Sequence, residues 1–178
     1  MTGIDPDAPD DPGYHRVEFE HYDLPRPADA IVACTSLHHV ADLSEVLNRV
    51  EAALATDGVL VVVEWARERF DAATARWCFD RLQGPEGEPG WLQERRAEWR
   101  ASGQPWETYC RSWADGEGLH TGHDILLQLA ARFEPEQLTY GPYLFPELPG
   151  TSEDDEQSAI DAGHIQATRI QYVGRRRG

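Results

Sequence analysis

Residues Ala28–Trp65 read ADAIVACTSLHHVADLSEVLNRVEAALATDGVLVVVEW, and their pattern decides the fold. Two short apolar runs, Ala30–Cys34 and Val59–Val63, are rich in Val and Ile and bounded by turn residues, as buried parallel strands are. Between them Leu43, Val46, Leu47, Val50, Ala53 and Leu54 fall on one helical stripe. Asp42 is placed to cap this helix, with Glu45 three residues on as a capping box requires. Gly58 is expected to end it in the left-handed conformation, where a Cβ is costly. Parallel neighbours need such a crossover, and it is nearly always right-handed. Ligands of open α/β sheets bind beyond the carboxyl ends of the strands. The polar corner Thr35-Ser36-Leu37-His38-His39 lies at such an end, so chemistry is expected there first.

Working outward, Thr2-Gly3-Ile4-Asp5 reads as the last residues of a strand ending in a carboxylate, and the acidic, Pro-rich run after it as a loop. Arg16-Val17-Glu18-Phe19-Glu20 alternates as a strand does. After Trp65 the pattern turns helical. Phe70, Ala73, Trp77 and Cys78 mark one helix, and Gly84–Gly90 reads as a loop. Trp91, Leu92, Arg95 and Trp99 mark a second helix, and Trp106, Tyr109, Cys110 and Trp113 a third, with Pro105 suited to its first turn. A fourth starts at Thr121 or Gly122 and runs to Arg132. Leu138–Phe145 reads as a kinked strand, Glu153–Glu156 as the acidic first turn of a last helix, and Ile165–Val173 as a final strand. The tryptophans between Trp77 and Trp113 read as core packing of helices, or as the aromatic lining of a cap over a pocket.

The chain has 178 residues, enough for one domain with a real core. Thirty-two acids against 16 bases give a net charge of −16, which disfavours nucleic acid and anionic membrane as partners. All the bases are Arg, and Arg175-Arg176-Arg177 reads as a solvated basic tail. Cys34, Cys78 and Cys110 are widely spaced and odd in number, so they do not form a disulfide framework. With no signal-peptide pattern and no membrane-length apolar run, a cytoplasmic protein is expected. His120 and His123 are three apart with no third ligand, so no metal site is expected. Neither a nucleophile elbow nor a P-loop occurs.

The stretch PADAIVACTSLHHVADLSEVLNRVEAALATDGVLVVVEW resembles the second half of the catalytic core of class I S-adenosylmethionine-dependent methyltransferases of the small-molecule, type 11-like group. That group reads FDxVxxxxxLHHvxDxxxvLxxxxxxLxPGGxLvvxE through its fourth strand, crossover helix and fifth strand. Ala28-Asp29 stands where the family has Phe-Asp, and Thr56-Asp57-Gly58 where it has Pro-Gly-Gly. The resemblance implies a partial Rossmann-like α/β fold, a mostly parallel sheet with flanking helices. The family's first strand and glycine loop are missing from the pattern, and Met1 reads as an alternative start within a longer chain. One partial domain, 1–178, is expected. Residues 1–27 would be a remnant of the cofactor-binding half, 28–65 the core unit, 66–132 a helical cap, and 133–178 the closing strand–helix–strand.

By the same resemblance the cofactor is S-adenosylmethionine and the acceptor a small molecule. Asp5 would bind the ribose, Glu20 and His21 would sit by the adenine, and Cys34 and Thr35 would lie beside the methionine part. His38 would be the general base, since imidazole titrates near neutrality. His39 reads as packing. Glu64 and Trp65 would either face the acceptor or serve the structure. In the family's strand order, 3-2-1-4-5-7-6, the missing strand is central. Activity is therefore expected to be impaired in this chain. The hydrogen-bonding edge of Ala30–Cys34 would be free to pair with a second copy. The alternative to an enzyme is a degenerate, non-catalytic fragment acting as a dimerisation or partner-binding module. A third reading is a small-ligand binder using the aromatic cap.

Overall fold

A computed structural model describes residues 1–82 and 89–177; residues 84–88 of the predicted Gly84–Gly90 loop lie outside the described residues. Gly3–Ile4 (β1) and Tyr14–His15 (β2) pair in parallel as a small sheet of their own. The strand expected over Arg16–Glu20 is not formed. Pairing stops at His15, and Phe19–His21 is a 3-10 turn. Arg16 instead reaches back, its Nε and Nη2 donating to the Ala8 carbonyl at 2.9 and 2.7 Å, which ties this stretch to the Pro-rich loop.

A second sheet is built from Ala28–Cys34 (β3), Leu54–Trp65 (β4), Phe133–Gly141 (β5) and Arg169–Arg176 (β6), in the order β3-β4-β6-β5. β3 and β4 run parallel, from Ala30 opposite Val59 to Cys34 opposite Val63. β6 is antiparallel to both β4 and β5. The crossover helix α1 covers Leu43–Ala53, and Asp42 caps it by accepting from Glu45 N at 2.9 Å.

Gly58 does something other than the sequence suggested. The chain leaves α1 at Leu54 in extended conformation and enters β4 at once, and Gly58 is not among the glycines with positive φ. It lies where the β3–β4 register shifts between Ala28 and Ala30. A Cβ there would stand 2.9 Å from Ala55 O and 3.0 Å from Ala28 O, so close approach of backbones requires the glycine.

Helices α2 (Ala72–Phe79), α3 (Trp91–Ser102), α4 (Trp106–Gly116) and α5 (Gly122–Arg132) lie between β4 and β5, and α6 (Glu153–Asp161) lies between β5 and β6. Thr121 caps α5 and Ser152 caps α6, each in a complete capping box. Arg175 and Arg176, expected in a solvated tail, belong to β6, and Arg175 Nε pairs with Glu136 at 2.5 Å.

Alternation along β4 sends Leu60 and Val62 to one face, where they meet Ile170 and Tyr172 of β6, Val46, Leu47 and Val50 of α1, and Ile125 and Leu129 of α5. Each such aliphatic side chain contributes about 1.5–3 kcal/mol by leaving water. The other face carries Val32, Val61 and Val63. Val32 is 66% exposed and the other two are half-buried, so a run that reads as buried on both faces is covered on one. A second, aromatic core gathers around Trp65 with Phe70, Phe79, Leu92, Trp106 and Leu144. Trp106 donates its Nε1 to Phe70 O at 2.6 Å, and Trp77, Trp91, Trp99 and Trp113 pack half-buried against the same core. Packing is thus the role of most of the tryptophans. Among the described residues no helix is long and apolar enough to cross a membrane.

Replacing Gly58 by Ala pushes a methyl against two carbonyl oxygens in a strand pair that cannot spread. The expected loss is about 1–3 kcal/mol of folding stability, read as a lower urea midpoint with an unchanged slope.

Candidate functional site

Because β3 and β4 are parallel, both deliver their carboxyl ends to the same edge of the sheet. β3 ends at Cys34, and Thr35 N closes the ladder by donating to Val63 O at 2.8 Å. Thr35 then turns with φ of +51°, the one positive φ outside glycine among the described residues. A β-branched residue in the left-handed region costs roughly 1–2 kcal/mol, and such strain concentrates at functional sites. Cys34 ends a run that reads as a buried strand. It is exposed, because the alternation that turns Ala33 into the core turns Cys34 outward onto the uncovered face.

After the turn, Leu37 and His38 are buried and His39 is exposed. The reason for His38 lies on β4. Glu64 follows Leu60 and Val62 on the core face and is 0% exposed. Its Oε1 accepts from Leu37 N at 2.5 Å, and its Oε2 accepts from Trp65 N at 3.1 Å and lies 2.6 Å from His38 Nδ1. A buried carboxylate costs several kcal/mol unless its oxygens are satisfied, and here they are. The backbone of the corner is held as well, with His38 O accepting from His120 N at 3.0 Å. His120 also bonds Val40 O through Nε2 at 2.8 Å, so this histidine fastens the corner to the start of α5. His39 packs its ring 4.1 Å from that of His38; partial burial, then the neighbouring imidazole, hold its pKa below the ordinary value.

Trp65 forms the wall of the site. Its ring meets His38 edge-on at 6.2 Å and stacks on Tyr143 at 6.3 Å, while its buried indole N–H has no partner among the described residues. Tyr143 comes from the segment after β5 and is held there from behind. Glu156 of α6, also buried, accepts from the backbone N–H of Tyr143, Leu144 and Phe145 at 2.9, 2.9 and 2.7 Å. The phenol of Tyr143 is pushed above its usual pKa, first by burial and then by the nearby charges of Glu64 and Cys34.

The residues expected to meet the cofactor are thus spread over three elements. Cys34 and Thr35 lie at the carboxyl end of β3, with His38 and Glu64 beside them. Asp5 follows β1 on the small sheet, where one carboxylate oxygen accepts from Asp7 N at 2.7 Å. Glu20 and His21 lie on the 3-10 turn, and His21 pairs with Glu18 at 3.1 Å on the surface. Among the described residues no hydrogen bond joins Asp5, Glu20 or His21 to the corner at Thr35. A groove of about 420 Å³, lined by Phe19, Tyr22, Arg26, Arg49 and Ala53, lies near the start of β3, at the opposite end of that strand from Thr35. Sequence reasoning left the role of Glu64 open and missed Tyr143. Glu64 comes at the end of a strand that is apolar on both faces, so the run by itself did not say which way the acid points. Tyr143 carried no signal, because its approach depends on Glu156.

The strand order and the parallel unit at its edge define a protein of the class I methyltransferase type. The chain belongs to the methyltransferase family: the family model described as "Methyltransferase domain" matches residues 1–113, more than half of it. Among solved structures, the plantazolicin methyltransferase BpumL, in complex with a triazolic desmethyl analogue and S-adenosylhomocysteine (SAH), has a TM-score of 0.51 at 12% identity, covering 100% of this chain and 67% of that one. The N-methyltransferase NodS from Bradyrhizobium japonicum WM9, in complex with SAH, has a TM-score of 0.48 at 13% identity, covering 93% of this chain and 55% of NodS. A methyltransferase from Mesorhizobium loti has 0.48 at 19%, covering 96% and 72%. This chain therefore spans little more than half the length of NodS. No curated protein matches the chain.

Thr35→Asn keeps a polar side chain but tolerates the left-handed region better. It is expected to raise folding stability by about 1 kcal/mol, measured by urea denaturation.

Proposed function

We propose that this chain binds S-adenosylmethionine across the shared carboxyl ends of β3 and β4 and takes part in methyl transfer to a small-molecule acceptor. The observation that carries the reading is the strained Thr35 beside an exposed Cys34 at the edge where ligands of such sheets bind. The residues present fit the cofactor's chemistry. Cys34 and Thr35 line the methionine side, Asp5 offers a carboxylate at the end of a strand for ribose hydroxyls, and Glu20 and His21 lie on a turn suited to the adenine. Held by these residues, the cofactor would supply an electrophilic methyl on a sulfonium sulfur. His38 is the base for an acceptor that must lose a proton, and the aromatic wall of Trp65 and Tyr143 keeps water away from it. The charge of −16 supports a small acceptor over nucleic acid or an anionic membrane.

Binding is weak in this reading. Among the described residues, the strands of the small sheet that precedes Asp5 do not pair with those of the large sheet that leads to Thr35, so holding both ends of one ligand requires ordering them together. Calorimetric titration with SAH is expected to give saturable 1:1 binding, weaker than micromolar. Iodoacetamide is expected to label Cys34 and to spare Cys78 and Cys110, both buried and the latter pushed up to about 11 by that burial. Saturating SAH should slow the labelling of Cys34. Absence of both heat and protection would reject the assignment.

A second reading is favoured by a separate observation. Val32 is 66% exposed at the centre of a strand whose outer edge is unpaired among the described residues. A non-catalytic module that pairs this edge with a second copy would use both features. Sedimentation velocity distinguishes it: a concentration-dependent dimer, abolished by Val32→Lys and accompanied by no heat with SAH, supports this reading over the first.

A further inference from the structure

We infer that Glu64 is the positioning residue for His38: it fixes the imidazole as the Nδ1–H tautomer, so that the lone pair on Nε2 takes the proton of an O–H or N–H acceptor. The inference rests on the methyl-transfer reading above and deepens it. Glu64 is fully buried, and each of its oxygens has a donor: Leu37 N on Oε1, and Trp65 N and His38 Nδ1 on Oε2. An ionised carboxylate only accepts, so across 2.6 Å the donor is Nδ1. In the neutral ring that leaves Nε2 bare. Nε2 makes no hydrogen bond among the described residues, and the side chain as a whole keeps 7% of its surface exposed.

The ring cannot present its other nitrogen. Turning it breaks the bond to Glu64, and it is flanked by His39 at 4.1 Å and Trp65 at 6.2 Å. The corner that carries it is held through Leu37 N by the same carboxylate and through His38 O by His120. In the step assigned here, the acceptor's O–H or N–H bond breaks, its electron pair stays on the heteroatom, and the proton bonds to Nε2. The imidazolium then sits against Glu64, so a buried lone anion becomes a buried ion pair. The proton later leaves to solvent when the product departs and the site opens to water. An acceptor attacking through a tertiary amine or a thioether has no proton for this base, so the acceptor class is an alcohol, phenol, acid or N–H amine.

Long-range ¹H–¹⁵N spectra of the full ¹⁵N-labelled chain read the tautomer directly, with His38 assigned by its loss in His38→Gln. The expected result is a protonated Nδ1 and a bare Nε2. That preference should be lost in Glu64→Gln, whose single side-chain oxygen faces three donors. An Nε2–H tautomer in the unmodified chain overturns the inference, and this measurement depends on no variant folding. A purely structural pair would give the same tautomer, so SAH is then added in millimolar excess. The Nε2 resonance should shift while Nδ1 stays. Calorimetric heat without an Nε2 shift overturns the positioning role. No heat at all overturns the methyl-transfer reading and this role with it, while leaving the tautomer as a property of the fold.

Discussion

The parallel pairing of β3 with β4 is the constraint from which the rest follows. Two strands running the same way cannot be joined by a hairpin, so α1 must cross between them, and its stripe of Val46, Leu47 and Val50 becomes one wall of the core. The same pairing sends Cys34 and Val63 to one edge together. Thr35 and Glu64 come next in their respective strands, which is how a corner 26 residues upstream of Glu64 ends with His38 2.6 Å from that carboxylate. Antiparallel neighbours would have put them at opposite ends of the sheet.

Two buried acids then organise the end of the sheet. Glu64 holds the loop after β3 through Leu37 and His38, and Glu156 holds the loop after β5 through Tyr143, Leu144 and Phe145. Both do by carboxylate what a neighbouring strand does elsewhere: they satisfy backbone donors that the ladder no longer reaches. Burial pushes the carboxyl of Glu156 upward and its three backbone donors pull it down, with burial the larger. The two loops meet through Trp65 and Tyr143, so each acid positions one side of the same aromatic wall.

Across β3 and β4 one face of the large sheet is apolar and lightly covered, and β3 forms an edge that is unpaired among the described residues. These features and the chemistry at the corner share a cause. The alternation that buries Ala33 turns Val32 and Cys34 to the open face, so the exposed thiol and the exposed valine belong to one stripe. Ligand binding at the carboxyl end and association along the strand therefore draw on neighbouring parts of a single surface.

The sequence by itself determined the local architecture. Apolar runs bounded by turn residues located β3 and β4, the stripe from Leu43 to Leu54 located α1, and Thr121 and the acids from Glu153 to Glu156 marked helix starts, because first-turn signals and periodicity are properties of neighbours along the chain. It also located the corner and family of the site, through LHH and the two strands around it. Tertiary structure decided which face of β4 is buried, and hence that Glu64 is a core carboxylate and Cys34 an exposed thiol. A run of Val and Leu on both faces carries no phase of its own. Tertiary structure also decided that Gly58 serves a close approach to Ala28 and not a helix end, and that Glu156 carries Tyr143 to Trp65. Those contacts join residues 13 to 78 apart in sequence, so no local pattern encodes them.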